Sequence, residues 1–349
     1  MPTSIYSPEK LDPEALDRYL SEGWRALGQR LYQADYIQIE PGRLSNLIPT
    51  RLPLAGHSWG KRQRKLLRDN RRFFRIEYGP ACLGPEKDAV NQSYALLHPE
   101  KTMEDLRYHL EYEGRAVINT WETRVYLDRR LVAFSFFDLG HEAAYSKAGI
   151  YDPALSAFSL GLFTLLLEVD FCKERGLRYF YPGYVSPDTP QFDYKHRIGD
   201  LELWNLRTQS WHSQTDFPPG QRDHIQYIHT ALRALEAELE AAHWSARRFA
   251  YLNSDIRLGD DRQTEFLDAP AVLAVYKDRK TRIWLVTYDL SARQYVLQAA
   301  TAISYNFHAS TDPDWPALPF IASYPQRLGQ AGSAAEMAEM IKSYSVGGR

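Results

Sequence analysis

A strand, turn, helix and strand between residues 151 and 184 constrain the fold more than any other segment. Tyr151-Asp152-Pro153 has the form of a strand end, and Ser159-Leu160-Gly161 leads into Leu162 to Cys172, where apolar residues recur at helical spacing. Gly176 predicts the end of this helix. The next segment, Leu177 to Tyr184, is rich in aromatic residues and predicts a buried strand whose end opens onto a pocket.

This order of elements is the core of an N-acetyltransferase-like fold. It predicts an α+β protein with a GNAT-type mixed sheet and flanking helices. In that fold the turn before the helix cradles a pyrophosphate with backbone N–H groups, which an Arg/Gln-x-x-Gly-x-Gly/Ala pattern supplies. Here the corresponding residues, Phe158 to Phe163, read FSLGLF, with one glycine and no basic residue at the start. The turn therefore argues against acetyl-CoA as the substrate.

Proline and glycine pairs divide the chain into three predicted units. Breaks are expected near Gly79-Pro80 and Gly84-Pro85, and again at Pro218-Pro219-Gly220. The units are a basic N-terminal domain, residues 1–80, a transferase domain, residues 81–210, and a C-terminal α/β lobe, residues 211–349. Further expected elements are a helix from Pro13 to Ala26 capped by Asp12, a helix from His224 to Ala246, and strands at 271–276, 282–288 and 294–303.

Composition places the chain of 349 residues, 44% hydrophobic and 25% charged, among ordinary globular proteins. It has no run of eighteen apolar residues and no charged-then-apolar leader, which predicts a cytoplasmic protein that does not insert into a membrane. The two cysteines, Cys82 and Cys172, define no disulfide framework, and Cys172 is expected in the core. No nucleophile elbow and no metal-ligand spacing among the ten histidines are present.

Positive charge is concentrated near the N-terminus, although the net charge of the chain is −2. Between Gly23 and Arg75 there are twelve Lys or Arg against three acids. A helix is expected over Lys61 to Arg75, with its cations on the exposed arc and apolar residues inside: Leu66, Leu67, Phe73 and Phe74. Such a stripe of cations can follow a phosphate backbone. A merely solvated helix face is the alternative.

The motifs, taken in order, resemble those of the aminoacyl-tRNA–protein transferases, the arginyl and leucyl enzymes that act on protein N-termini. The resemblance covers roughly residues 18 to 205. The matching motifs are Gly23-Trp24-Arg25 with Gly28 and Tyr32, Ile48-Pro49-Thr50-Arg51, Lys61 to Lys65 with Asn70, Glu122-Thr123-Arg124 through Leu131-Val132-Ala133 with Asp138, Tyr151-Asp152-Pro153, Ser159-Leu160-Gly161, Gly176-Leu177 through Gly183-Tyr184, and Tyr194-Lys195 with Glu202.

The sequence also departs from the family pattern. In the family, clustered cysteines that bind a metal or an iron–sulfur cluster normally precede the Pro-Val-Arg element that Pro49-Thr50-Arg51 matches here. Neither cysteine of this chain lies there, so no metal centre with cysteine ligands is expected at that place. Gly199-Asp200 replaces the Arg-Pro pair before Glu202, and Arg129 replaces the glycine after Asp128. Ser146-Lys147 and Gly149 occupy the region of the family's Ser-x-x-Tyr. These changes bear on substrate choice and on activity.

The resemblance implies an enzyme that moves arginine or leucine, with arginine preferred, from charged tRNA to proteins with N-terminal Asp or Glu. The α-amino group attacks the ester that joins the amino acid to tRNA, which requires no covalent nucleophile and no cofactor. The implied partners are aminoacyl-tRNA and acidic protein N-termini, and the implied role is in protein degradation through N-degrons.

Site residues follow from the same resemblance. Three residues are candidates for catalysis: Asp138, Tyr184 and Tyr194. Four are candidates for substrate binding: Arg51, Lys195, Glu202 and Tyr151. Six are candidates for tRNA binding: Lys61, Arg62, Arg64, Lys65, Arg68 and Arg72. Packed tyrosines and surface cations are the alternatives, and Asp152 is interpreted first as a cap.

Two other functions remain open from the sequence. One is an N-acyltransferase that uses acetyl-CoA or another thioester and binds it at Ser159 to Leu162. The other is a catalytically silent relative that binds tRNA or protein, which the absence of the clustered cysteines favours.

Overall fold

The described residues form four β-sheets with helices packed against them. A computed structural model describes residues 3–99, 102–187, 189–217, 223–253, 265–276, 283–305, 309–312 and 314–346. The strands are β1 Thr3–Tyr6, β2 Arg25–Leu27, β3 Arg30–Ala34, β4 Tyr36–Glu40, β5 Arg43–Asn46, β6 Ile48–Pro53, β7 Arg75–Pro80, β8 Thr120–Leu127, β9 Arg130–Leu139, β10 Ala143–Tyr151, β11 Tyr179–Val185, β12 Glu202–Asn205, β13 Ser210–Ser213, β14 Ser245–Ala250, β15 Ala271–Tyr276, β16 Ile283–Asp289, β17 Gln294–Tyr305 and β18 Phe320–Ala331. The α-helices are α1 Pro13–Ser21, α2 Lys61–Asn70, α3 Pro85–Ala95, α4 Arg107–Leu110, α5 Leu160–Glu174, α6 His224–Ala241 and α7 Ala334–Val346, and 3₁₀ helices cover Pro153–Phe158 and Pro190–Ile198.

The central sheet has eight strands in the order β13-β12-β6-β11-β10-β9-β8-β7. Strands β10 and β11 run parallel and are joined through α5, while every other neighbouring pair in this sheet is antiparallel. A parallel pair needs a crossover of this kind, whereas antiparallel neighbours need only a turn. The predicted strand, turn, helix and strand are thus confirmed, and so is the α+β class with a mixed, N-acetyltransferase-like sheet.

Helix α5 forms the core together with one face of this sheet. Its residues Phe163, Leu166 and Cys172 are fully buried against sheet residues that include Val132 and Phe137. Full burial of a side chain such as Leu or Phe contributes about 1.5–3 kcal/mol. The prediction that Cys172 is a core residue is confirmed.

A gap opens where β10 and β11 part. The two strands pair only from Ala143 to Tyr145, opposite Tyr179 to Tyr181. Beyond that point β10 has an irregularity between Ser146 and Ala148, and the 3₁₀ helix Pro190–Ile198 packs near the free part of β11. Bulges of this kind re-aim side chains next to functional sites.

The predicted N-terminal helix is too long at its C-terminal end. Helix α1 ends at Ser21 because Gly23 has a left-handed φ of 83°, and strand β2 begins at Arg25. Asp12 is the N-cap residue of α1, as predicted, although its side chain makes no capping hydrogen bond.

The basic helix is also shorter than expected. Helix α2 ends at Asn70, whose side-chain amide donates to the carbonyl of Phe158 at 2.8 Å, and strand β7 already begins at Arg75. Leu67 and Phe74 are buried as expected, but Phe73 is 58% exposed. The residues after Asn70 turn toward the sheet instead of continuing the helix.

Residues before position 81 contribute two strands to the central sheet. Strand β6 lies between β11 and β12, and β7 forms the edge beside β8. The expected bend at Gly79-Pro80 is the end of β7, and Gly84-Pro85 leads into α3. The division into three domains stays a prediction.

The C-terminal third contains an antiparallel five-stranded sheet in the order β14-β15-β16-β17-β18. This confirms the predicted meander of strands. Helices α6 and α7 pack on it, and α6 ends at Ala241, earlier than predicted, because His243 has a φ of 62° and β14 starts at Ser245. The expected break at Pro218-Pro219-Gly220 lies outside the described residues. In the part of the chain that is described, none of the helices has the length and apolar character needed to cross a bilayer.

Candidate active site

Lys195 fills the gap between β10 and β11. Its Nζ lies 3.1 Å from the point where a Cβ on Gly183 would stand, and the hydroxyl of Tyr145 lies 3.8 Å from the same point. Gly183 has a φ of +99°, a conformation that favours glycine. Gly183, at the end of the strand, therefore leaves the space that the side chain of Lys195 occupies.

The ammonium of Lys195 has few partners. It donates to the carbonyl oxygen of Tyr184 at 2.7 Å and is 7% exposed. The rings of Tyr184 and Phe192 lie 4.8 and 5.1 Å from Nζ, and among the described residues no carboxylate reaches it within 4 Å. Burial, with a smaller contribution from the guanidinium of Arg25, lowers the pKa of Lys195 to about 7.

Arg25 is a second buried cation beside this gap. It is 1% exposed, and its guanidinium lies over the rings of Tyr32 at 4.7 Å and Tyr184 at 5.3 Å. One terminal nitrogen donates to the carbonyl of Ala34 at 2.7 Å, while Nε has no hydrogen-bond partner. Arg25 belongs to the Gly23-Trp24-Arg25 motif but was not predicted as a site residue. The motif match was the signal that could have found it.

Glu168 lies on the face of α5 that meets β10. It is fully buried, and neither carboxyl oxygen has a hydrogen bond of normal geometry, although the hydroxyls of Ser135 and Ser146 face it. Burial raises its pKa to about 8, so the carboxyl is mostly protonated at neutral pH. Tyr194 is 44% exposed, yet burial of its hydroxyl and the nearby Glu168 raise its pKa to about 12. Glu168 was missing from the predicted site.

Asp138 lies within β9 in a closed ion pair. Its Oδ1 accepts from Lys147 Nζ at 2.8 Å and from the Thr120 hydroxyl at 2.6 Å, and both ionic side chains are almost fully buried. Burial raises the pKa of Asp138 and lowers that of Lys147, so each moves toward neutrality. A role for Asp138 as general base stays a prediction, and its burial and pairing favour a positioning role.

Two predicted substrate-binding residues pair with each other. Arg51 Nε donates to Glu202 at 2.6 Å across the β6 and β12 pair, and its guanidinium stacks on Tyr179 at 4.1 Å and Trp211 at 4.6 Å. The Arg51 cation is therefore already neutralised. Tyr151 ends β10 apart from this pair.

The turn before α5 is built by local contacts. Asp152 accepts from the backbone N–H of Ala154 at 3.0 Å and pairs with Arg130 at 2.6 Å, which confirms its interpretation as a cap. Ser159 has a φ of 50°. A side chain on Gly161 would stand 3.1 Å from the ring of Tyr151, so this ring covers the turn.

Helix α2 and the turn that follows it carry cations of two kinds. Arg71 pairs with Asp170 at 2.7 Å, Arg68 pairs with Asp69 at 2.9 Å, and Arg64 donates to the carbonyl of Trp59 at 2.6 Å. Four exposed cations make no ion pair with any described residue: Lys61, Arg62, Lys65 and Arg72. These four are the ones available to an anionic partner.

A cavity of about 480 Å³ lies where the N-terminal strands meet the C-terminal sheet. We call it the composite cavity. Arg25, Trp204 and Tyr288 contribute to its lining, together with three carboxylates, Asp35, Asp268 and Asp289. Burial is the largest cause that raises the pKa of Asp35 to about 7, and Asp268 and Asp289 add to it. The cavity joins the C-terminal third to Arg25 of the candidate site.

Comparison with known proteins shows which family the chain is similar to. Residues 84–205 match the family model described as arginine-tRNA-protein transferase, C terminus. An aspartate/glutamate leucyltransferase of Leptospira interrogans is 26% identical over 198 residues, which are 54% of this chain and 73% of that protein. Over these residues the chain is similar to the aminoacyl-tRNA–protein transferases, as the order of its motifs predicts. The aspartate/glutamate leucyltransferase of Vibrio cholerae is 25% identical over 213 residues, 58% of this chain and 85% of that protein.

The match to the aminoacyl-tRNA–protein transferases runs from α3 to β12 and so includes the gap between β10 and β11. The prediction that the chain is an aminoacyltransferase is confirmed. Among solved structures, L-PGS from Bacillus licheniformis has a TM-score of 0.32 at 14% identity over 40% of this chain and 45% of that one. A tandem GNAT protein from the clavulanic acid biosynthesis pathway has a TM-score of 0.33 at 13% identity over 56% and 58%. Such low scores add nothing to the strand topology.

Proposed function

We propose that this cytoplasmic transferase moves arginine or leucine from charged tRNA to the α-amino group of proteins that begin with Asp or Glu. The observation that carries the proposal is the gap between β10 and β11, which lies inside the family match and holds the buried cations Lys195 and Arg25. Aminoacyl esters are already activated. The enzyme therefore has to hold donor and acceptor together, handle protons and stabilise an oxyanion.

Two buried phenols suit the oxyanion. Burial raises the pKa of Tyr145 and Tyr184, so both hydroxyls keep their protons at neutral pH. A phenol that stays protonated donates a hydrogen bond to the negative oxygen of a tetrahedral intermediate, and such donors are most effective where water is excluded. Tyr184 was predicted as catalytic, and this role is consistent with that prediction.

The acidic side chain of the acceptor needs a cation. Arg51 is paired with Glu202, whereas Arg25 has an unpartnered Nε and contributes to the lining of the composite cavity. A guanidinium binds a carboxylate with directed, charge-assisted hydrogen bonds. We assign this contact to Arg25, with Arg51 and Glu202 shaping the neighbouring surface.

The tRNA contact falls to helix α2. The helix and the turn after it have four exposed cations without ion pairs, which can replace counterions along the RNA backbone and give affinity without sequence readout. Arg64 and Arg68, which were also predicted to bind RNA, are exposed too, but each has a partner in the protein.

A transfer assay tests the proposal. Labelled arginine or leucine on its cognate tRNA is offered with peptides that begin with Asp, Glu, Arg or Ala, and acetyl-CoA is offered in parallel. Transfer to Asp and Glu peptides alone is the expected result, and it names the donor. Salt-sensitive tRNA binding without any transfer would instead favour a silent relative. Acetylation would favour the thioester-dependent alternative.

A further inference from the structure

We infer that Lys195 is the general base that takes a proton from the α-ammonium of the acceptor. The inference rests on the proposed function and adds a catalytic role to the carboxylate-binding role that the sequence suggested for this residue. It follows from where the side chain lies, from the absence of an acidic partner for it among the described residues, and from the proton transfer that the reaction requires.

The position of Lys195 is fixed by its neighbours. Nζ is held by the Tyr184 carbonyl at 2.7 Å, and Gly183 leaves room for it at the point where the parallel strands part. A general base must be within hydrogen-bond reach of the proton that it removes. A group anchored by one carbonyl keeps its remaining hydrogen-bonding capacity for a substrate in the gap.

The groups around Lys195 do not stabilise its charge with an opposite charge. Among the described residues the charged group that acts on its pKa is another cation, Arg25, and Phe192 adds an uncharged ring. The titratable groups that face this region from β3, β10, β11 and its own 3₁₀ helix are phenols: Tyr32, Tyr145, Tyr184 and Tyr194. Helix α5 adds Glu168, which acts on Tyr194 and whose carboxyl is mostly protonated at neutral pH. Burial and Arg25 lower the pKa of Lys195 to about 7, so a substantial fraction is the free amine at neutral pH.

Protons and bonds balance in this step. The acceptor α-ammonium, whose ordinary pKa is about 7.7–8.0, gives one proton to the lone pair of Lys195 Nζ. The freed amine forms a C–N bond to the ester carbonyl carbon, and the C–O bond to the ribose breaks. The second nitrogen proton ends on the ribose oxygen. Lys195 is left as an ammonium and returns its proton to solvent before the next turnover.

A carboxylate-binding lysine would behave differently. Such a residue must be charged, and Lys195→Arg would preserve its function or only raise KM for acidic acceptors. A base must lose its charge, and arginine cannot be deprotonated in a protein. The two roles therefore predict opposite results for one substitution.

The experiment measures kcat and KM for transfer to a peptide beginning with Asp, from pH 5.5 to 9, for the wild type, Lys195→Arg and Lys195→Met. Wild-type kcat should rise with pH and level above about 7. Both variants should lose roughly 10²- to 10⁴-fold in kcat. Their dissociation constants for charged tRNA should stay unchanged. The matched controls are Lys10→Arg and Lys10→Met, since Lys10 is exposed and outside the site.

Two further measurements separate a base from a structural residue. Small primary amines added to Lys195→Ala should restore part of the transfer, and a peptide beginning with an aminooxy group, whose nitrogen is neutral at pH 7, should react without a base. Wild-type rates for Lys195→Arg would overturn this inference alone, and so would a change confined to KM or to tRNA binding. Absence of transfer by the wild type would overturn both the proposed function and the inference about Lys195.

Discussion

Gly183 and Lys195 depend on each other at the scale of single residues. The φ of +99° at Gly183 strains any side chain there, and the 3.1 Å from its absent Cβ to Lys195 Nζ means that a side chain would displace the lysine. This relation makes the glycine part of the site. It also explains why a strand end in Gly-Tyr and a distant Tyr-Lys pair occur together in this chain.

Gly183→Ala should lower the free energy of unfolding by about 1–2 kcal/mol. It should also reduce the rate of transfer, and this loss, expressed as a free energy, should exceed the loss of stability. The added methyl group forces Lys195 Nζ away from its carbonyl partner. Chemical denaturation and the transfer assay measure the two effects. The control is Gly79→Ala, where the nearest atom would be 3.6 Å away in ordinary contact. Equal, small effects of both substitutions would contradict the prediction.

Glu168→Gln should stabilise the protein increasingly as pH rises from about 4.5 to 8. The folded wild type holds a proton on this carboxyl up to about pH 8, while the unfolded chain releases it near 4.5, so wild-type stability falls across this window. The gain is at most about 1.4 kcal/mol for each pH unit and levels off above pH 8. Denaturation at pH 5, 7 and 9 measures it. The exposed Glu104→Gln serves as the control, and a gain independent of pH would refute the interpretation.

At the scale of elements, helix α2 is the part of the structure best suited to bind a polyanion. Its buried side packs against α5 through Leu67, while its exposed side has cations with no partners in the described protein. The helix is tied to the turn before α5 by the hydrogen bond from Asn70 to Phe158. A tRNA bound on α2 would therefore lie beside the transferase core.

Lys61→Glu, Arg62→Glu and Lys65→Glu together should weaken tRNA binding by tenfold or more. The slope of log K against log salt should fall by about one for each phosphate that the helix no longer neutralises. The same charge change at three exposed residues elsewhere, Lys10, Arg129 and Arg293, is the control. Binding titrations at several salt concentrations measure both sets, and equal losses of affinity in the two triple variants would exclude a specific contact by α2.

At the scale of the whole molecule, the C-terminal third joins the site through the N-terminal strands. The Asn46 amide donates to Asp223 at 3.1 Å and its oxygen accepts from the backbone N–H of Ile225 at 3.0 Å, so the end of β5 caps the start of α6. The composite cavity lies in the same junction. The C-terminal third thus adds walls to a cavity that contains Arg25.

Asn46→Ala should cost about 1–3 kcal/mol of unfolding free energy, because it leaves buried groups at the start of α6 unsatisfied. The transition should become less cooperative as the junction weakens. Gln226→Ala removes an exposed amide from the same helix and is the control. Denaturation monitored by two probes measures the change. An unchanged midpoint for Asn46→Ala would show that the junction does not hold the C-terminal third in place.

The order of motifs was enough to predict the central fold and the family. The spacing of apolar residues located α5 and the strands on either side of it. In a helix and in a strand alike, this spacing follows from which face of the element is buried. Helix ends were less predictable. Those of α1, α2 and α6 lay earlier than expected, because left-handed residues such as Gly23 and His243, or packing of the next segment, stop the helix before its apolar pattern ends.

The sequence by itself determined the α+β class, the order of elements and the family, because local periodicity and motif order are properties of the chain alone. Only the tertiary structure decided the chemistry of the site. It paired Arg51 with Glu202 and Asp138 with Lys147, and it buried Arg25 and Lys195 with no ion pair to any described residue. A pKa depends on burial and on charges brought together from distant segments, and neither can be derived from residue types in a row.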